Sequence, residues 1–168
     1  MLSKFSNKRF LSGFTIIELM VAMAIAAVLL GMALPAFNVF VEQRTMTALG
    51  NDFISAVNLA RSEAVNRGAN VSIQTMNLQA ADEWGDGYCV TVTPGNCNNP
   101  LSTFQPTDAT MNALAGLNGV GTLTYNSRGL LTLNAQGTIE ICSPGVNPGR
   151  EIAINTIGRA SSAELVCP

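Results

Sequence analysis

The sequence predicts an α+β fold in which one long N-terminal helix packs on an antiparallel β-sheet head. Residues 14–41 form an apolar run with a single ionisable side chain, and residues 42–68 repeat apolar side chains every three or four positions. From residue 69 onward, short runs of period two alternate with turn residues. These patterns predict a leader (1–13), a transmembrane helix (14–41), an amphipathic helix (42–68) and a β-rich head (69–168).

The leader carries a third of the basic residues of the chain. Lys4, Lys8 and Arg9 are three of nine, and no Lys follows Lys8. Positive charge on this side of an apolar run predicts that the leader stays in the cytoplasm and that the head is exported. Without the leader, six Arg face eleven acidic residues, a side-chain charge of −5. This balance argues against general binding to DNA or to an anionic membrane, and leaves only a local Arg patch for such contacts.

The apolar run is long enough to span a bilayer, since about 20 helical residues cross a hydrocarbon core of about 30 Å. An ordinary secretory signal would be shorter and would be followed by a small-residue cleavage site in a polar stretch. Here the nearest such site, at residues 33–36, lies inside the run. A plain signal anchor remains an alternative, and it explains every feature of the run except Glu18.

Glu18 is the single ionisable residue in the run, and a carboxylate there costs about 2–3 kcal/mol to insert. Cleavage after Gly13 would give Phe14 an α-amino group four residues before it. The two charges could pair within one helix or between neighbouring subunits in an apolar filament core. The alternative is that Glu18 only snorkels to the membrane interface. Further along the run, Pro35 removes a helical hydrogen bond and predicts a kink.

The amphipathic segment has one apolar stripe, which predicts a helix face that packs on a sheet. Its members are Met46, Leu49, Phe53, Val57, Ala60 and Ala64. The helix is expected to continue to about Asn66 and to stop at Gly68.

In the head we expect strands wherever β-rich runs lie between turn signals. The expected strands are 71–78, 88–93, 120–125, 130–133, 138–142 and 151–155. Between them, residues 94–118 are rich in Asn, Pro, Thr and Ala. They predict a long surface loop, with at most a weak strand or helical turn near 109–117.

All four cysteines lie in the expected head: Cys89, Cys97, Cys142 and Cys167. An even number of cysteines in an exported domain predicts two disulfides. The rival, a zinc site with four thiolates, normally has closely spaced cysteine pairs that this sequence lacks. We expect Cys89 to pair with Cys97, and Cys142 with Cys167, but spacing leaves the other pairings open.

The residue types predict a protein that is not an enzyme and that binds neither a cofactor nor a metal. The sequence has no His, which excludes His-based triads and His-ligated zinc. It has no Lys after the leader and no phosphate-binding G-x-x-x-x-G-K motif. The acidic residues Asp82, Glu83 and Asp86 are expected to be solvated loop side chains.

The N-terminal run GFTIIELMV at residues 13–21 resembles the class III signal of type IV pilins and type II secretion pseudopilins. The resemblance implies that a prepilin peptidase cuts after Gly13 and that the new N-terminal Phe14 is N-methylated. It also implies that Glu18 is the assembly glutamate and that Pro35 lies where many pilins bend. The expected fold is accordingly pilin-like.

Three motifs in the head resemble GspH/FimT-type minor pilins. They are ARSEA at 60–64, WGDGY at 84–88, and REIAI at 150–154 leading to Gly158-Arg159. With the N-terminal signal, the resemblance spans most of the chain except 94–119. It implies a minor subunit that helps to prime or cap a filament.

Three functions stay open at this point: a type IV minor pilin, a type II secretion pseudopilin, and a DNA-binding pilin for DNA uptake. The first two imply an inner-membrane protein with a periplasmic head, and partners that include other pilins and the peptidase. Some FimT-like pilins bind DNA through a G-R-x-R motif. This sequence has Gly158-Arg159-Ala160-Ser161, so Arg150 and Arg159 are the expected contacts if nucleic acid is bound at all.

Overall fold

The computed structural model describes residues 13–76, 84–105, 110–114, 121–132 and 136–167, without the side chains of 33–36 and 110–114. The chain divides into two compact units at the Asn38–Val39 bond. The described part of the first unit contributes helix and no strand, and the second unit carries both sheets.

A single helix, α1 (Ile16–Arg67), accounts for both predicted helical segments. Thr15 caps its start, since the Thr15 hydroxyl accepts a hydrogen bond from the Glu18 backbone N–H at 3.2 Å. Gly68 ends it in a left-handed conformation, with φ of 62°. The Gly68 and Ala69 N–H groups then bond to Val65 and Ala64, as in a Schellman motif.

Eight strands lie within the described residues of the second unit: β1 (Val71–Thr75), β2 (Tyr88–Thr91), β3 (Ser102–Phe104), β4 (Thr110–Leu114), β5 (Thr122–Tyr125), β6 (Gly137–Ser143), β7 (Val146–Ile154) and β8 (Ala160–Leu165). They form two four-stranded sheets, β3-β2-β1-β5 and β4-β6-β7-β8. Every pairing between strands is antiparallel. The predicted α+β class, with a long helix on antiparallel sheet, is confirmed.

The predicted apolar stripe of the helix is buried where the helix packs against the two sheets. Met46, Phe53, Val57, Ala60 and Ala64 are all at most 1 % exposed, and Leu49 is partly buried against them.

Aromatic side chains fill the first sheet's side of this core. The ring of Phe53 lies 5.3 Å from both Trp84 and Tyr88, in edge-to-face geometry. On the second sheet's side, Gly50 permits close approach, since a Cβ there would lie 3.2 Å from Cδ1 of Ile152.

The long surface loop predicted at 94–118 is interrupted by two strands, of which only β3 was not considered from the sequence. β3 pairs with β2, and β4 pairs with β6 in the region where a weak strand was considered. Both pairings depend on backbone hydrogen bonds, which the polar composition of this stretch does not reveal.

Two other strand predictions need correction. Residues 130–133 form no strand within their described part, and Leu131 makes only an isolated bridge to Tyr125. The strand predicted at 151–155 starts earlier than expected, because β7 already begins at Val146. The last strand, β8, was not predicted, since its sequence ASSAEL does not alternate and most of it is exposed.

Candidate functional site

The N-terminal segment of the helix presents an apolar surface. Phe14 is 82 % exposed, and the apolar side chains that follow it are exposed as well. Among the described residues, α1 is the only helix long and apolar enough to cross a membrane. The segment therefore has the length, the composition and the uncovered surface of an anchor.

Phe14 and Glu18 line the same shallow groove along this helix. The groove has a volume of about 410 Å³ and is otherwise lined by apolar residues, namely Ile17, Val21, Ala22 and Ile25. The spacing of four residues places both side chains on one face. A cation that enters this groove meets one carboxylate in an apolar setting.

Thr15 is a residue that the sequence analysis did not single out. It accepts the backbone N–H of Glu18, which is one half of a capping box. The T-x-x-E spacing at 15–18 was the available signal. The consequence is that Glu18 lies in the first helical turn, where the helix dipole favours a negative charge.

Pro35 lies within α1, and the helix is assigned without interruption from Ile16 to Arg67. Its side chain is outside the described part, so the kink stays a prediction.

The four cysteines form two disulfides, Cys89–Cys97 and Cys142–Cys167, in the pairing expected from the sequence. The first closes a loop that Gln74 supports from β1. Gln74 is 1 % exposed, accepts the Gly95 N–H at 2.6 Å and donates to the Cys97 sulfur at 3.3 Å. Sequence reasoning missed this buried amide, because a lone Gln in a strand carries no signal.

The second disulfide fastens the C-terminal tail to β6. Its hold is reinforced by a hydrogen bond from the Cys167 N–H to the Asn147 side chain at 2.7 Å. Gly149 lies directly beneath it, where a Cβ would contact the Cys167 sulfur and lie 2.6 Å from the Ile141 carbonyl oxygen. The C-terminal tail thus packs against β7 at Gly149, a position that has no room for a larger residue.

Arg150 and Arg159 lie at opposite ends of the β7–β8 hairpin. Arg150 pairs with Glu164 across the two strands, while Arg159 follows the turn that begins after Ile154. Five residues of strand correspond to about 16 Å. The structure therefore does not bring the two guanidinium groups to one contact point, and a shared DNA site gains no support.

Two buried tyrosines have structural surroundings. The Tyr125 hydroxyl donates to the Gly158 carbonyl at 2.9 Å, and burial raises the pKa of Tyr125 to about 12 against a smaller opposing effect of Arg61. Burial, with the nearby charge of Asp52, also raises the pKa of Tyr88 above its ordinary value. Both phenols stay neutral near pH 7, so neither supplies a reactive phenolate.

No three His, Cys, Asp or Glu residues are grouped to hold a metal ion within the described ranges. Of the acidic loop residues, Asp82 and Glu83 lie outside those ranges.

Two family models match the chain in separate regions. The model for the prokaryotic N-terminal methylation motif matches residues 11–34. The model for the type II transport protein GspH matches residues 49–158. The comparison with curated protein sequences gives no match.

Among solved structures, the chain is similar to the type IV minor pilin FimU of Pseudomonas aeruginosa in two crystal forms. In one, 25 % of residues are identical, the TM-score is 0.62, and the match covers 74 % of this chain and 92 % of FimU. In the other, the identity is also 25 %, the TM-score is 0.59, and the coverages are 70 % and 91 %.

Proposed function

The chain belongs to the GspH family of type II transport proteins, and we propose that it is a minor pilin of a type IV pilus that helps to prime or cap the filament. Its family and fold are those of structural pilin subunits. The observation that carries the proposal is the likeness to a type IV minor pilin over 92 % of that protein's length.

The proposed location is the bacterial inner membrane, with the head in the periplasm. The helix with its exposed apolar surface is the anchor, and the basic leader sets its orientation. Two disulfides fit an oxidising compartment outside the cytoplasm. In this proposal residues 1–13 are removed, 14–41 span and assemble, 42–68 support the head, and 69–168 form most of it.

The proposed maturation is cleavage after Gly13 and methylation of Phe14. Among the described residues, a Cβ at Gly13 would meet no atom within 4 Å, so packing within the chain does not require glycine there. A peptidase that approaches the backbone closely would require it. We expect Gly13→Val to insert in the membrane but to keep its leader, as measured by mass spectrometry of the extracted protein. Leu11→Val is the control, and an intact N-terminus in the wild type would contradict the proposal.

A second candidate function is a minor pseudopilin of a type II secretion system. The specific observation in its favour is the GspH model, whose description is a type II transport protein. Both candidates use the same anchor and head, so they differ in the assembly that the subunit joins.

A deletion strain decides between them. If the subunit belongs to a pilus, its loss should reduce surface pili and twitching and leave protein secretion intact. Restoration by the wild-type gene, but not by the Gly13→Val variant, ties the phenotype to the mature subunit. A strain that pilates normally but fails to secrete would assign the protein to secretion.

A further inference from the structure

A polar groove lies in the second unit, between the β7–β8 hairpin and the turns of α1 that directly follow Val39. Its volume is about 390 Å³. Its main lining residues are Phe40, Gln43, Arg44 and Thr47 on the helix, with Arg150 and Glu164 on the sheet. Neither the anchor nor the disulfides explain why two arginines border one groove.

The helix side of the groove is a single stripe of side chains, because residues 40, 43, 44 and 47 follow helical spacing. The Arg44 guanidinium lies over the Phe40 ring, with Cζ 4.8 Å from the ring centroid. Arg44 makes no ion pair with any described residue. Its charge is held near the aromatic ring while its hydrogen-bond donors stay available to a ligand.

The sheet side holds the second arginine in place. Arg150 Nε donates to the Thr47 hydroxyl at 3.3 Å, which fixes the guanidinium against the helix. Its Nη2 is 3.9 Å from the Glu164 carboxylate, which is beyond hydrogen-bond distance, and Glu164 is 67 % exposed. The groove therefore combines two guanidinium groups with one loosely placed, solvated carboxylate, and its local charge is positive although the mature chain is acidic.

The position of the groove along the chain indicates what fills it. Phe40 belongs to the last turn of the apolar run, and at about 1.5 Å per residue Arg44 lies one turn further on. A bilayer is about 40–45 Å thick with its headgroups, around a hydrocarbon core of about 30 Å. The first turns after the anchor accordingly lie in the headgroup layer.

We propose that this groove binds the phosphate of an anionic phospholipid, of the phosphatidylglycerol type, in the outer leaflet of the inner membrane. Guanidinium groups match phosphate oxygens in pairs, and Phe40 offers an apolar surface to the glycerol and the first acyl carbons. The inference rests on the proposed membrane anchoring and goes beyond it. It assigns to the groove the task of holding the head against the leaflet before the subunit enters a filament.

The test uses the full mature chain in vesicles of phosphatidylethanolamine and phosphatidylglycerol. After flotation and mild detergent extraction, native mass spectrometry measures the lipid that remains bound. We expect the wild type to retain phosphatidylglycerol in preference to phosphatidylethanolamine. Arg44→Gln and Arg150→Gln should each lower the amount of bound phosphatidylglycerol roughly fivefold, because one basic side chain near an anionic surface changes the affinity by about this factor.

The matched control is Arg67→Gln, which removes an arginine that pairs with Glu63 outside the groove. It should retain lipid like the wild type. Because Arg150 also donates a hydrogen bond to Thr47, the decisive variant is Arg44→Gln, whose side chain is exposed and lies over the Phe40 ring. A thermal melt of each variant separates loss of lipid from loss of folding.

Each contrary result overturns the proposal in a different way. If the wild type and Arg44→Gln retain equal amounts of phosphatidylglycerol, the groove is not the binding site. If Arg67→Gln loses as much lipid as Arg44→Gln, the effect comes from diffuse charge and not from the groove. Displacement of the lipid by millimolar inorganic phosphate assigns the groove to a soluble anion, and a second protein subunit in place of lipid assigns it to assembly. A wild type that does not float with vesicles overturns the membrane anchoring itself, whereas floating without selective retention overturns only the groove.

Discussion

Gly149 shows how one residue controls the C-terminal disulfide. A Cβ there would collide with the Cys167 sulfur and lie 2.6 Å from the Ile141 carbonyl, and backbone cannot move aside cheaply. We expect Gly149→Ala to lower the free energy of unfolding by about 1–3 kcal/mol, as overpacking does. Urea denaturation measures the effect, and Ser161→Ala on the exposed edge strand is the control. An unchanged unfolding midpoint would show that the tail can shift away from the sheet.

The two buried tyrosines predict the alkaline limit of stability. Their folded pKa values lie above the ordinary value of about 10, and for Tyr125 the value is about 12. A raised folded pKa means that the unfolded chain loses its protons first. The stabilising contribution is therefore complete below pH 10 and is lost as the pH rises toward 12.

The sequence makes this effect easy to isolate, because residues 14–168 contain no Lys or His and only two Tyr. We expect the free energy of unfolding to fall by up to about 1.4 kcal/mol per pH unit for each tyrosine in that window. Denaturant titrations from pH 8 to pH 12 measure the slope. The double variant with Tyr88→Phe and Tyr125→Phe should be less stable at pH 8 but should show a flatter slope, and an equal slope would refute the assignment.

At the scale of elements, β8 is an exposed edge strand that pairs only with β7 among the described strands. Its small side chains bury little apolar surface, so backbone hydrogen bonds and the disulfide at Cys167 hold it. We expect the pair Cys142→Ser and Cys167→Ser to cost about 2–4 kcal/mol. It should also speed amide hydrogen exchange in β8 far more than in β1.

The other disulfide is the matched control for this prediction. Replacing Cys89 and Cys97 with Ser frees a loop next to the first sheet, which Gln74 still contacts. Exchange in β8 should then stay at the wild-type rate. If both double variants loosen β8 equally, the disulfides act on global stability and not on the tail.

At the scale of the whole molecule, the apolar N-terminal surface and Glu18 are expected to act in assembly. Glu18 and Phe14 share one groove, so the amine of a neighbouring subunit could reach the carboxylate in an apolar filament core. Leaving one charge of such a pair without its partner costs about 3–5 kcal/mol. We expect Glu18→Ala to insert in the membrane as well as the wild type but to enter sheared filaments more than about tenfold less.

Glu63→Ala is the control for this experiment, because it removes a carboxylate from the same helix at an exposed surface pair. Immunoblots of membrane and sheared-filament fractions give both quantities at once. Normal filament incorporation of Glu18→Ala would count decisively against charge pairing and would favour the snorkelling alternative.

Local patterns in the sequence predicted the helix, its apolar stripe and its end, because helical periodicity depends only on residues three or four positions apart. Met46, Phe53 and Ala64 are buried as the stripe required, and the helix ends at Arg67, directly before the predicted stop at Gly68. The motif at 13–21 and the even number of cysteines are also visible without any knowledge of contacts between distant segments. Together they were enough to identify the fold class and a pilin-type role.

The tertiary structure decided what depends on pairing between distant segments. β3 and β8 form because partner strands supply backbone hydrogen bonds, and their side chains carry no alternating pattern from which a strand could be predicted. The approach of Arg150 to Thr47 depends on how β7 packs on the helix, about 100 residues earlier in the chain. Sequence alone predicted which segments meet lipid and which meet water. Only the folded chain determined which side chains share a groove, since that requires the register of both sheets.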